Sequence, residues 1–181
     1  MAHQHHSEDF KEILEGLPKR YYGENYYGHV LEIYKVFLGT AEKTSDRRNK
    51  ANSFFLSLNT ALAGLIGYLT GLEEFTTSDP WISIIGLLGI SISYLWYRII
   101  LSYRGLNSGK FKVLHEMENF LPLRPLDAEW EAIGRGKNPL KYRPFTKVEK
   151  NVAKIFMLLH FVAFLRGLPW AKLSSLIFYG P

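Results

Sequence analysis

The densest chemical grouping in the chain is His115-Glu116-Met117-Glu118, one imidazole and two carboxylates within four positions. That composition suits proton transfer or a divalent metal. A zinc helix would need a second histidine four residues after the first, and that position is Asn119. Repeated around an oligomer, these side chains could form a proton-sensitive or metal-binding ring; on a single helix they read as a solvated face. His3, His5 and His6 could hold a metal loosely or belong to a flexible leader. His160 lies in an apolar run and is expected to be a core histidine bonded to a carbonyl. The chain has no cysteine, which excludes disulfides, thiolate nucleophiles and cysteine-ligated metals. It also has no phosphate-binding glycine loop and no Gly-x-Ser-x-Gly elbow. The expectation is a protein without enzymatic activity, metal or cofactor.

The elements carrying these residues follow from charge. Of 22 Lys and Arg in 181 residues, none falls within residues 51–97. Ala51 to Leu72 is free of charge for 22 residues, and Pro80 to Tyr97 for 18. A hydrocarbon layer about 30 Å thick takes roughly 20 residues of helix. Backbone polar groups left unpaired in lipid cost several kcal/mol each, so single spans must be helical. The predicted fold class is an all-α membrane protein, a two-helix transmembrane hairpin with helical extensions into a cytoplasmic domain. Its spans cover about 51–72 and 80–101 of a hairpin region at 51–104. Glu73 to Asp79 form an acidic connection, and Trp81, Trp96 and Tyr97 are placed at headgroup level. Lys43, Arg47, Arg48 and Lys50 precede the first span and Arg98, Arg104, Lys110 and Lys112 follow the second, which places both termini in the cytoplasm.

Small residues dominate one stripe of each span. Ser53, Ser57, Thr60, Gly64, Gly67 and Gly71 recur at steps of three and four, and Gly86, Gly89 and Ser93 make a shorter series. Such stripes let backbones approach closely, which matters in lipid, where no hydrophobic force joins helices. The two stripes either pack on each other or make contacts between subunits. Asn52 and Asn59 share another stripe and need a partner or water, either between helices or in a lumen, with Arg98 at its mouth.

Outside the spans, residues 1–25 read as a leader and 26–50 as an amphipathic helix with Val30, Tyr34, Phe37 and Ala41 on one face. No proline interrupts Trp81 to Leu121, so the second span should continue as one long helix bearing Leu106, Val113, Leu114, Met117 and Leu121. Pro122 and Pro125 end it, and Asp127 is expected to cap a short turn containing Trp130. Within the cytoplasmic region 105–181, Arg135, Lys137, Lys141, Arg143 and Lys147, with Arg47 and Arg48, suit anionic lipid headgroups rather than nucleic acid. Thr146-Lys147-Val148-Glu149 has the form of a capping box for a last helix at about 147–166. Its apolar core, Ile155 to Leu165, is 11 residues long and too short to span. That helix is expected in the interface or the cytoplasmic assembly, with a third span as the other reading.

Several of these residues also carry a resemblance. Tyr34, Arg47-Arg48, the stretch Ala51 to Thr60, and the stretch Ser102 to Val113 running on to Glu118, Leu121-Pro122 and Glu129-Trp130 resemble the RipA family of small bacterial octameric inner-membrane proteins. More distantly they are similar to the SMODS- and SLOG-associating two-transmembrane effectors. The resemblance covers roughly residues 30–165. It implies a homo-octamer in the bacterial inner membrane with cytoplasmic termini, and through the distant link a channel, pore or membrane-perturbing role. The other function is a membrane-anchored scaffold without transport.

Overall fold

The computed structural model describes residues 13–14, 16–72, 79–138, 140–142, 144–170 and 174. Expectations resting on His3, His5, His6, the acidic residues Glu73 and Glu74, and Arg143 lie outside the described residues. Among the described residues every regular element is helical. The order is α1 (Lys19–Tyr22), α2 (Tyr26–Thr70), α3 (Pro80–Met117), a 3-10 turn (Glu118–Phe120), α4 (Pro125–Ala132), a second 3-10 turn (Gly134–Gly136) and α5 (Phe145–Arg166). Helices α2 and α3 are 45 and 38 residues long, and both hold a stretch apolar enough to cross a membrane. Gly105 and Gly109 sit inside α3 without breaking it. Each costs about 1 kcal/mol against alanine, which the cooperative backbone ladder of a long helix absorbs.

The chain divides into two compact units, both drawing on α2 and α3. The first comprises Met1–Asp46 and Tyr103–Pro144. Its core joins Tyr34 and Ala41 of α2 to Leu114 and Met117 of α3, with Phe37, Val113, Leu121 and Leu126 packed around them. The amphipathic spacing read from the sequence thus buries its face, except at Leu106, which is exposed. The second unit comprises Arg47–Ser102 and Phe145–Pro181, so α5 belongs with the apolar segments rather than with residues 105–144. Its core contains Phe55 of α2, Trp96 and Ile100 of α3, and Ala153 of α5.

Helix α5 runs opposite to α3 along its apolar segment. Ala153 packs in the cluster with Ile100 and Trp96, and the Phe156 ring lies 6.3 Å from that of Trp96. Further along, His160 and Phe164 rest on Gly86 and Gly89, and Gly167 rests on Ser83. Two glycines make this approach feasible. A Cβ at Gly86 would lie 2.6 Å from the Phe164 nitrogen, and one at Gly89 would lie 2.3 Å from the His160 ring. Both are inside any tolerable contact, so no larger side chain fits without moving α5 away.

Candidate helix-packing and assembly site

In the second unit, the polar residues of α2 and α3 meet partners inside the protomer. Ser93 Oγ donates to Asn59 Oδ1 at 2.6 Å, and Asn59 Nδ2 donates to the Phe55 carbonyl at 2.8 Å. Both side chains are fully buried. Trp96 Nε1 donates to Asn52 Oδ1 at 2.9 Å, and Asn52 Nδ2 donates to Glu149. Arg48 pairs with the same carboxylate and donates to Thr146 Oγ1 at 2.8 Å. The Arg48 and Glu149 side chains are 14% and 5% exposed, so this is a desolvated ion pair completed by the Asn52 amide and the Thr146 hydroxyl. Such a pair gains little over apolar packing, yet losing one partner leaves a stranded charge.

This geometry decides between some expectations and corrects others. Of the two roles expected for Asn52 and Asn59, the protomer shows the interhelical one, because an amide in apolar surroundings must be satisfied and Ser93, Trp96 and Glu149 do so. Trp96 is 2% exposed and serves as a core residue rather than an interface anchor, whereas Trp81 is exposed. Arg98 is exposed and donates to Tyr94 Oη at 3.2 Å, apart from both asparagines. Thr146 and Glu149 do not form a capping box: α5 begins at Phe145, and both side chains turn to Arg48. Arg48 is thereby withdrawn from headgroup binding. His160 is fully buried, and neither ring nitrogen has a hydrogen-bond partner among the described residues, so the expected carbonyl bond is not made. Its ring lies beside Phe156 at 6.3 Å and fills the space over Gly89.

The two small-residue stripes have different fates. Gly86, Gly89 and Ser93 are buried beneath α5 and against Asn59. Ser53, Ser57, Thr60, Gly64, Gly67 and Gly71 are all exposed, and the Cβ positions of Gly64 and Gly67 face open space. The stripes therefore do not pack on each other. Thr60 Oγ1 is turned back onto the Leu56 carbonyl at 2.8 Å, which leaves a smooth outer face.

In the first unit, Glu118 is fully buried and accepts from Tyr34 Oη at 3.2 Å and from the backbone nitrogens of Leu126 and Asp127 at 2.8 and 3.1 Å. A carboxylate at the end of one helix thus caps the start of α4, where two N–H groups would otherwise be unpaired. Asp127, expected as the cap, instead pairs with Arg124 at 3.0 Å. Burial, reinforced by the charge of Glu118 and the hydrogen bond to it, raises the Tyr34 pKa. His115 Nδ1 lies 4.0 Å from Glu118, while Glu116 accepts from Asn119 at 3.0 Å. The histidine and two carboxylates therefore do not converge on a common opening, and among the described residues no group of three His, Cys, Asp or Glu could hold a metal. A cavity of about 370 Å³, not anticipated from the sequence, is lined by residues including Tyr22, Tyr26, His29, Phe37, Val113 and Met117. Of the remaining basic residues, Arg135 pairs with Glu131, and Arg47, Lys137, Lys141 and Lys147 are exposed.

Long apolar helices, satisfied intramembrane amides and glycine-mediated close packing define a helical integral membrane protein. The family model of the Octameric membrane protein family (8xMP) matches residues 31–169, and the chain belongs to that family. Self-association follows from the same membership. No curated protein and no solved structure matches the chain.

Proposed function

We propose that the chain is one subunit of a homo-octameric scaffold in the bacterial inner membrane, held together by the exposed small-residue face of α2, with no enzymatic activity. The observation carrying this reading is that face itself: Ser53, Ser57, Thr60, Gly64 and Gly67 are exposed, and Gly64 and Gly67 open onto free space, while the corresponding face of α3 is filled. In lipid, a smooth face gains most from a close helix neighbour, because van der Waals contact is the available attraction. Scaffolding is favoured over conduction because Asn52 and Asn59, the amides best suited to a wet lumen, are consumed within the protomer. The basic flank formed by Lys43, Arg47 and Lys50 supports a cytoplasmic location for the segment before the first span. Exposed Lys137, Lys141 and Lys147 support contact with anionic headgroups.

A second reading, a pore, is favoured by the hydroxyls of Ser53 and Ser57 on the same exposed face, which would suit a hydrated lumen. Two measurements separate the readings. Gly64→Phe with Gly67→Phe should convert the octamer to smaller species by native mass spectrometry while leaving helicity intact. An unchanged octamer would remove the contact proposal. Reconstituted wild-type protein should be electrically silent; conductance blocked by thiol reagents at Ser57→Cys would establish the pore instead.

A further inference from the structure

We propose that the cavity of the first unit is a binding site for a single-chain fatty acid, its hydrocarbon tail among the helices and its carboxylate at the Tyr22–His29 pair. The site lies wholly within that unit. At about 370 Å³ the cavity falls within the roughly 300–1,000 Å³ ordinary for small-molecule sites. Its apolar walls come from three parts of the chain: Val30 and Ile33 from α2, Val113 and Met117 from α3, and Leu14 and Leu17 from the segment before α1. Among the described lining residues none carries a full charge. Such walls favour a saturated hydrocarbon, whose burial is favourable and needs no hydrogen-bond partner. Met117 is buried while Tyr22 and His29 are exposed, so the cavity runs from an apolar floor to a polar rim. A molecule with a tail and a wet head fits that gradient.

The rim supplies a donor in either protonation pattern. Tyr22 Oη and His29 Nδ1 share a hydrogen bond at 2.6 Å, and the Tyr22 ring meets those of Tyr26 and His29 edge to face at 5.7 and 5.5 Å. Gly23, at φ 94°, makes the turn that brings Tyr22 back to His29. If Tyr22 donates to Nδ1, the neutral imidazole keeps its proton on Nε2; if Nδ1 donates, the Tyr22 hydroxyl proton is unspent. One N–H or O–H is therefore left for an oxygen at the rim. The nearby charge selects which oxygen. Tyr22 ends α1, whose residues Lys19-Arg20-Tyr21-Tyr22 include two cations and no acid. Lys19 Nζ lies 4.1 Å over the Tyr27 ring and Arg20 lies 4.8 Å over that of Tyr21, and neither forms an ion pair among the described residues. The nearest acid along the chain, Glu24, stands beyond the Gly23 turn. A carboxylate head is drawn to this rim and an ammonium head is repelled.

The test uses the full-length octamer in nanodiscs and a dodecanoic acid carrying a diazirine on its chain. After irradiation, mass spectrometry of the digested protein should find adducts in the first unit at Leu17, Ile33, Val113 or their neighbours. Plain dodecanoate should compete for them better than dodecanol or dodecylamine by about tenfold or more, the factor expected of one hydrogen bond to a charged group. Ile33 and Leu17 are 59% and 52% exposed, so Ile33→Trp and Leu17→Trp fill the cavity from its rim without entering the core of Tyr34, Leu114 and Met117. Each should abolish the adducts while helicity and octamer mass are kept. Tyr22→Phe with His29→Leu leaves the walls in place and should bring dodecanoate down to the level of dodecanol, which decides the matter even where a tryptophan disturbs the fold. Adducts confined to residues 51–101 would mean partition into the bilayer and would overturn the site. So would labelling that survives both tryptophans, or no labelling at all, which would mean that the chain itself or a second copy fills the space. Equal competition by dodecanol and dodecanoate would overturn the carboxylate.

Discussion

The glycine faces of α2 and α3 are written in the same alphabet and put to different uses. On α3 the small residues form a bed on which α5 lies, close enough that Gly89 meets the His160 ring. On α2 they remain uncovered. The difference teaches that a stripe of small residues reports the closeness of a contact and says nothing about whose helix makes it. What distinguishes the two is the polar chemistry beside each. The α3 stripe includes Ser93, tied to Asn59, and at one end of α5 the Arg48–Glu149 pair holds the helix in place.

Removing that pair should disturb the covered face most. Arg48→Leu leaves Glu149 buried without a cation and should destabilise the protein by about 3–5 kcal/mol, read as a drop in melting temperature in detergent. Adding Glu149→Leu should return much of the loss; no recovery would mean that α5 is held chiefly elsewhere. Next in size, Gly86→Val should cost about 1–3 kcal/mol through overpacking against Phe164. Gly64→Val should change protomer melting by no more than about 0.5 kcal/mol, as expected of an exposed site, and act on octamer mass instead. Equal melting shifts for the two valines would erase the distinction between the faces.

A smaller effect sharpens the same contrast. Asn59→Leu removes one interhelical hydrogen bond and should cost about 0.6 kcal/mol, with Ser93→Ala in the same chain adding little. The smallest lies outside both faces. Because the folded-state pKa of Tyr34 is raised above its ordinary value of 10.0, its neutral hydroxyl contributes stability below that pH, and the contribution is lost as pH rises through the higher folded value. Tyr34→Phe should flatten the alkaline arm of a stability–pH curve; an unchanged curve would show that the Tyr34–Glu118 contact does not carry it.

The spans were legible because lipid excludes cations, and a gap from residue 51 to 97 among 22 Lys and Arg has few other causes. The face of α2 bearing Tyr34, Phe37 and Ala41 was legible for the corresponding reason in water, its helical period. The lodging of α5 was not. Hydropathy scores each residue as if it faced lipid, so Glu149 and Lys150 counted against burial when one of them was paired inside the protein. Thr146 and Glu149 show the same ambiguity, since three-residue spacing that suits a cap also puts both on one helical side, here toward Arg48. The missing clue was available: Glu149 is the lone acid in a basic stretch, and the small residues around Gly86 needed something to lie against them.

Glu118 sets the geometry of the corner between α3 and α4. Its oxygens reach across Pro122 and Pro125 to seize two peptide nitrogens, so the direction in which α4 departs is decided by side-chain length. Aspartate, one methylene shorter and carrying the same charge, would have to drag the backbone inward to make the same grip. The bend is gauged like a carpenter's square, and a lineage that altered residue 118 would be expected to reset the loop that follows it.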